Sequence, residues 1–108
     1  MEKIKFSEWE KFDFRVGEVL EAKDHPNADK LYILKVELGD KVIQLVAGIK
    51  SNYKKEELIG KKIVVFSNLE PVKLRGIESH GMLLAADNNG KPVLLTTDSD
   101  ISNGTKIK

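Results

Sequence analysis

The residues best suited to bind a ligand are concentrated between Asn68 and Ala86. This stretch, NLEPVKLRGIESHGMLLAA, holds two cations separated by a single residue, two glycines, a serine and a methionine between two apolar runs. Lys73 and Arg75 can donate charged hydrogen bonds to phosphate, and arginine adds a bidentate fork. Residues two apart in an extended segment point the same way, so we expect both cations on one face. The pattern favours binding over catalysis.

Four further side chains complete the candidate binding set. Lys30 is the last residue of a predicted loop, Asp24–Lys30, that is rich in turn-forming residues, and it supplies another phosphate donor. Asn68 and Ser79 are short polar groups that can read base edges or a 2′-hydroxyl, and Met82 can offer a pliable apolar surface to a base. Each also has an ordinary interpretation: a solvated lysine, a polar side chain that stabilises a turn, or a core methionine.

Catalytic and metal chemistry are disfavoured by the residue types present. The two histidines, His25 and His80, lie far apart in the sequence, and there is no cysteine. Ser79 and His80 are adjacent, but neighbours on a strand point to opposite faces, so they are poorly placed as a nucleophile and its base. We therefore expect no catalytic residue, no metal and no cofactor.

Length and charge indicate a single domain over residues 1–108 with a local basic segment. The net charge is +1, but residues 50–75 carry 7 basic and 3 acidic side chains. Charge alone leaves open whether these lysines bind a polyanion or only solvate the surface. Residues 1–5 open no long apolar run, so we expect no signal peptide. No apolar run approaches the roughly 18 residues that span a bilayer, and we expect a cytoplasmic protein.

Alternating hydrophobicity predicts mainly strands. A short helix is predicted over Asn52–Ile59, closed by Gly60, between the third and fourth strands. This order matches an all-β, five-stranded OB-fold barrel, which binds oligonucleotides on strands 2–3 and the flanking loops, although small sandwiches fit the strand count nearly as well. The predicted strands are Phe14–Lys23, Leu31–Leu38, Val42–Val46, Lys62–Phe66 and Gly81–Ala86, with a shorter one at Val93–Thr96.

The N-terminal segment has its own pattern. Ser7 and Glu10 fit the ends of a capping box on a single helical turn, and Gly17 predicts a bulge or bend in the first strand. A large share of the aromatic residues falls within Ile4–Phe14. Such a cluster either plugs one end of a barrel or packs against another subunit.

Five motifs, in order along the chain, resemble the tRNA-binding domain family. This family includes the C-terminal domain of bacterial methionyl-tRNA synthetases, free-standing tRNA-binding proteins and domains of eukaryotic synthetase cofactors. The resemblance runs from about Ile4 to Lys108. The motifs are DFRVG at 13–17, HPNADKLY at 25–32, EELIGK at 56–61, NLEPVKLRG at 68–76 and SHGMLLAA at 79–86.

The resemblance implies an OB-fold that binds tRNA by shape, at the outer corner of the L, with little regard to the anticodon. It implies a homodimer, joined through Ile4–Phe14 and the tail around Ile101–Ile107, that works alone or with a synthetase. The alternative is a protein-interaction or chaperone-like module, because export-chaperone-like relatives share this barrel. The tRNA contacts that the resemblance implies are Lys30, Asn68, Lys73, Arg75, Ser79 and Met82.

Overall fold

The computed structural model describes residues 1–108 and consists mainly of short strands. None of its helices has the length and apolar character needed to cross a bilayer. The helices are α1 (Phe6–Trp9) and α2 (Lys55–Leu58), and the strands are β1 (Phe14–Asp24), β2 (Tyr32–Glu37), β3 (Val42–Ala47), β4 (Lys62–Phe66), β5 (Val72–Leu74), β6 (Ile77–Ser79), β7 (Met82–Leu83), β8 (Ala85–Asn88), β9 (Lys91–Leu94) and β10 (Lys106–Ile107).

The main sheet forms a nearly closed barrel. Its strands follow the order β3-β2-β1-β4-β7, all neighbours antiparallel, and β10 adds to the start of β1. The two outer strands approach each other, since β3 contacts both β6 and β7. The His80 amide donates a 2.8 Å hydrogen bond to the Gln44 carbonyl across this closure. With α2 between β3 and β4, the structure confirms the predicted OB-fold order.

The core follows from the period-two pattern of β2. Tyr32, Leu34 and Val36 are buried in the barrel, whereas Lys35 and Glu37 on the other face are partly exposed. Burying apolar side chains on one face stabilises a curled sheet, which closes over them. The alternation predicted for this strand is confirmed.

Gly17 serves close packing, and the predicted bulge at this position is wrong. A Cβ atom on Gly17 would stand 2.6 Å from Val36 Cγ1, so glycine leaves the space that the Val36 side chain of the neighbouring strand occupies. The register of β1 against β2 shifts instead between Val19 and Glu21. The irregularity therefore lies three residues beyond the glycine.

Two other local predictions need correction. Helix α1 begins after Lys5, whose side chain makes no capping hydrogen bond, so the capping box from Ser7 to Glu10 does not form. The strand predicted over Gly81–Ala86 is divided into β7 and β8, and β8 pairs with β9 across a turn at Asn89 and Gly90. Positive φ values of 52° and 88° at these two turn residues suit a tight hairpin.

The two termini meet at one end of β1. The rings of Trp9, Phe12, Phe14 and Phe66 lie with centroids 5.1–6.2 Å apart, and Phe14 pairs in register with Ile107 of β10. The other end of β1 leads into the loop at residues 25–31. Since β1 has 11 residues, the two ends are at most roughly 35 Å apart.

Candidate nucleic-acid interface

The segment before His80 contains the β5–β6 hairpin. Its central residues, Arg75 and Gly76, have φ values of 53° and 91°, and positive φ at both positions is typical of a type I′ hairpin turn. Arg75 therefore lies in the turn, while Lys73 lies within β5. The extended segment assumed for both cations therefore ends before Arg75.

The hairpin tip is fixed to the loop between β1 and β2. Nε and Nη2 of Arg75 lie 3.4 and 3.3 Å from the Asn27 carbonyl oxygen, to which both donate. Nε2 of His25 is 2.9 Å from the Leu74 carbonyl oxygen. Lys30 belongs to the same loop as Asn27. The structure thus brings Arg75 of the hairpin against the loop that carries Lys30.

Lys30, Lys73 and Arg75 form what we call the basic rim. All three residues are exposed, and none of them forms an ion pair within 4.0 Å. The residue opposite Lys73 in the hairpin is Glu78, whose Oε1 lies 3.4 Å from Nε2 of His80. The rim charges are therefore free to meet an anion, with one carboxylate nearby.

Ser79 has a structural place in the interface. It is 0% exposed. Its Oγ accepts a 3.0 Å hydrogen bond from the Val46 amide and donates a 2.7 Å bond to the Gly81 carbonyl. Both bonds tie the end of the hairpin to the barrel. A direct ligand contact from this hydroxyl would require the hairpin to open, so the geometry gives the contact no support.

Asn68 and Met82 lie away from the basic rim, beside the aromatic residues. Oδ1 of Asn68 accepts a 2.9 Å hydrogen bond from the Asp13 amide, and its Nδ2 donates a 2.6 Å bond to the Lys11 carbonyl. Met82 is half-buried and pairs in register with Phe66, so the two side chains share a face of the sheet. Two of the six predicted contact residues, Asn68 and Ser79, thus have polar atoms engaged in hydrogen bonds within the protein.

The sequence of this chain matches a known protein family. A family model described as "Putative tRNA binding domain" matches residues 14–106. The chain belongs to this tRNA-binding domain family. The family resemblance stated from the motifs is therefore confirmed.

Individual relatives support the same assignment of this tRNA-binding domain. The methionine–tRNA ligase of Thermococcus kodakarensis is 55% identical over 108 residues, which are 100% of this chain and 15% of the ligase. The chain thus spans about 15% of the length of the ligases it matches.

Two solved structures share the fold of the tRNA-binding domain. The MetRS related protein of Pyrococcus horikoshii has a TM-score of 0.92 at 35% identity, and the match covers 100% of both chains. The chaperone CsaA of Bacillus anthracis has a TM-score of 0.92 at 30% identity, over 99% of this chain and 100% of that one. The OB-fold prediction is confirmed by these neighbours.

The tRNA-binding domain has further basic residues that the sequence pattern did not single out. Nζ atoms of Lys50 and Lys55 lie 3.0 and 3.1 Å from the carboxylate of Asp24, next to His25. Hydrogen bonds from both lysines lower the pKa of Asp24, and Asp24 in turn raises the pKa of Lys55. The only sequence signal was the basic excess of residues 50–75.

A second group lines an open groove beside β3. Lys35 donates a 3.2 Å hydrogen bond from Nζ to Gln44 Oε1, and Gln44 donates a 2.9 Å bond from Nε2 to the Glu78 carbonyl. Lys41 and His80 also line this groove. It lies on the outer face of strands 2 and 3, where OB-folds bind their ligands.

The tRNA-binding domain also exposes a large apolar surface, which we call the aromatic end and define as Ile4, Phe6, Trp9 and Phe12. Ile4 is 71% exposed and Phe6 is 70% exposed. A cavity beside them is lined in addition by Ile107 of β10. Apolar side chains gathered in this way are typical of a surface that meets another protein.

Proposed function

We propose that the chain is a non-catalytic module that binds tRNA at the basic rim through the phosphate backbone, largely without regard to sequence. Family membership and the three unpaired cations support this proposal. Backbone contacts position a protein on a nucleic acid, whereas sequence is read by polar groups at base edges. Asn68 and Ser79, the short polar candidates for base reading, form hydrogen bonds within the protein.

The docking of the hairpin tip on the first loop carries the proposal. Because Arg75 and His25 each bridge the two segments, the rim is ordered before a ligand arrives. A preorganised site loses less conformational freedom on binding than two mobile loops would. Folded RNA has a fixed spacing of phosphates, so a fixed set of cations suits its shape.

We further propose that the aromatic end joins two copies of the chain. The support is the exposure of Ile4 and Phe6 and the pairing of β10 beside them. A dimer would carry two basic rims and bind one tRNA, or two, with greater avidity. In the cytoplasm such a module would raise the tRNA concentration near a synthetase, as its similarity to part of methionine–tRNA ligases suggests.

A second candidate function is a protein-interaction or chaperone-like module. The similarity to a chaperone CsaA along nearly the whole chain favours it. In that case the aromatic end would bind apolar peptide segments, and the basic rim would have no dedicated partner. The two functions differ in physical driving force, and salt therefore separates them.

The test is a gel-shift titration with unfractionated tRNA at about 50 and 200 mM salt, with sedimentation run in parallel to count subunits. If each rim cation neutralises one phosphate, tRNA affinity should fall roughly 20- to 40-fold between the two conditions. An apolar peptide contact responds little to the same change. An affinity for tRNA that is weak and independent of salt would contradict the proposal.

A further inference from the structure

His25 is a buried side chain in an otherwise exposed loop. It is 5% exposed, while its neighbours Asp24, Pro26 and Asn27 are exposed. It does not belong to the hydrophobic core of the barrel. Burying a polar ring has a free-energy cost unless its nitrogens are hydrogen-bonded, so the partners of the ring indicate its role.

Both ring nitrogens of His25 have partners of fixed type. Nδ1 lies 3.0 Å from the Asn27 amide, which can only donate, and Nε2 lies 2.9 Å from the Leu74 carbonyl oxygen, which can only accept. The ring must therefore be neutral, with its hydrogen on Nε2. Any other protonation pattern would remove at least one of the two hydrogen bonds.

These two bonds act on the peptides that place Arg75. The Asn27 residue held by Nδ1 supplies the carbonyl to which the Arg75 guanidinium donates. The Leu74 carbonyl held by Nε2 belongs to the peptide unit that enters the turn at Arg75, which has a positive φ. One ring thus fixes both the base of the arginine side chain and the acceptor at its tip.

We propose that His25 is the positioning residue of the basic rim: it holds Arg75 at a set place relative to Lys30 so that both cations meet phosphates together. This inference depends on the proposed tRNA binding. It adds a residue that does not itself contact tRNA but on which the arginine contact depends. The hairpin would otherwise be joined to the loop only by the two long bonds from Arg75.

Two substitutions of His25 separate the contributions of its two hydrogen bonds. In His25→Asn the shorter side chain can still accept from the Asn27 amide, as in an Asx-turn, but does not reach Leu74. In His25→Gln the longer amide can donate to the Leu74 carbonyl. We expect His25→Asn to lower tRNA affinity about tenfold at low salt and to flatten the salt slope by about one unit, while His25→Gln keeps most of the affinity.

A double-mutant cycle separates positioning from a general loss of stability. If His25 acts through Arg75, His25→Asn should have no further effect on affinity in an Arg75→Ala background. Additive effects of the two substitutions, or wild-type affinity and slope in His25→Asn, would overturn the inference. Thermal melting of each variant checks that the barrel remains folded.

Nuclear magnetic resonance gives a reading that needs no tRNA. The imidazole nitrogen shifts should report the Nε2–H tautomer, and the amide signals of Arg75 and Gly76 should move or broaden in His25→Asn but not in His25→Gln. Amide signals that are unchanged in His25→Asn would contradict the positioning role even if the wild type binds tRNA. Wild-type protein without salt-dependent tRNA binding would instead contradict the proposed function, and the amide signals would still decide how the hairpin is held.

Discussion

The two ends of strand β1 present opposite kinds of surface. Beyond Asp24 lies the basic rim, which is built from the first loop and the β5–β6 hairpin, is held by hydrogen bonds and carries unpaired cations. Before Phe14 lies the aromatic end, built from α1 and β10 and dominated by exposed apolar side chains. One strand thus separates a surface suited to a polyanion from a surface suited to another protein.

The predicted contact residues of the family motifs are divided between these two surfaces. Lys30, Lys73 and Arg75 belong to the rim, whereas Asn68 and Met82 lie beside the aromatic end. The buried Ser79 ties the hairpin to the barrel between them. Residues close in sequence therefore serve different surfaces, and each assignment can be tested by asking which surface a substitution weakens.

The largest expected effect is on the aromatic end. Ile4→Ser combined with Phe6→Ser should raise the dissociation constant of the proposed dimer about hundredfold or more, since a few exposed apolar anchors carry most of an interface. Both side chains are about 70% exposed, so the subunit fold should change little. Sedimentation measures the effect, and Ile59→Ser, 51% exposed elsewhere, is the control. A double variant that stays dimeric would remove these residues from the interface.

The next largest effect is on the connection between the hairpin and the barrel. Ser79→Ala removes a buried hydroxyl and leaves the Val46 amide without its acceptor. We expect a loss of roughly 1–3 kcal/mol in the free energy of unfolding, measured with urea. Ser51→Ala, at an exposed turn position, should change it by less than about 0.5 kcal/mol. Weaker tRNA binding without loss of stability would mean that Ser79 contacts RNA directly.

Asn68→Ala should weaken the aromatic end and spare the rim. The substitution removes the hydrogen bonds to the Lys11 carbonyl and the Asp13 amide, a loss of about 1 kcal/mol in unfolding free energy. Amide hydrogen exchange should speed up in residues 11–13, while tRNA affinity stays within about twofold. Asn88→Ala, on the exposed strand β8, is the matched control. A tenfold loss of tRNA affinity at unchanged stability would instead show that Asn68 belongs to the tRNA-binding surface.

The smallest effect is on acid titration near the rim. The pKa of Asp24 lies below its usual 3.8 because Lys50 and Lys55 hydrogen-bond to the carboxylate. A lowered folded-state pKa means that the ion cluster stabilises the fold above about pH 3.8 and that this contribution is lost as pH falls through the lower folded value. A carbon-detected titration should show a midpoint below 3.8 that rises in Lys50→Ala/Lys55→Ala. An identical midpoint in both proteins would contradict the ion cluster.

The barrel could be predicted because its signals are local. Alternation in β2 and the turn at Gly39 specify a hairpin within a few residues, and β4 was predicted with its observed bounds, Lys62–Phe66. The β5–β6 hairpin was missed because its strands are only three residues long and its turn begins with Arg75, where Asn or Asp is the usual signal. The packing role of Gly17 depends on Val36, a partner that no local pattern names.

The sequence indicates candidate cations by residue type but does not indicate how they are positioned. Lys73 and Arg75 were chosen for their charge, and both are exposed. The contact that positions Arg75 depends on Asn27 and His25, which are about fifty residues away in sequence. Pairing between distant loops leaves no periodic signal, so His25 could be noticed from sequence only as an isolated histidine.

The most direct measurement is the salt dependence of tRNA binding in two double variants of equal charge. Lys73→Ala/Arg75→Ala removes two rim cations, and Lys3→Ala/Lys91→Ala removes two exposed lysines outside the rim. In a plot of log affinity against log salt, the first variant should flatten the slope by about two units and lose affinity roughly hundredfold at low salt, while the second follows the wild type. Equal slopes and affinities in the two variants would show that only net charge matters and would contradict a tRNA site at the basic rim.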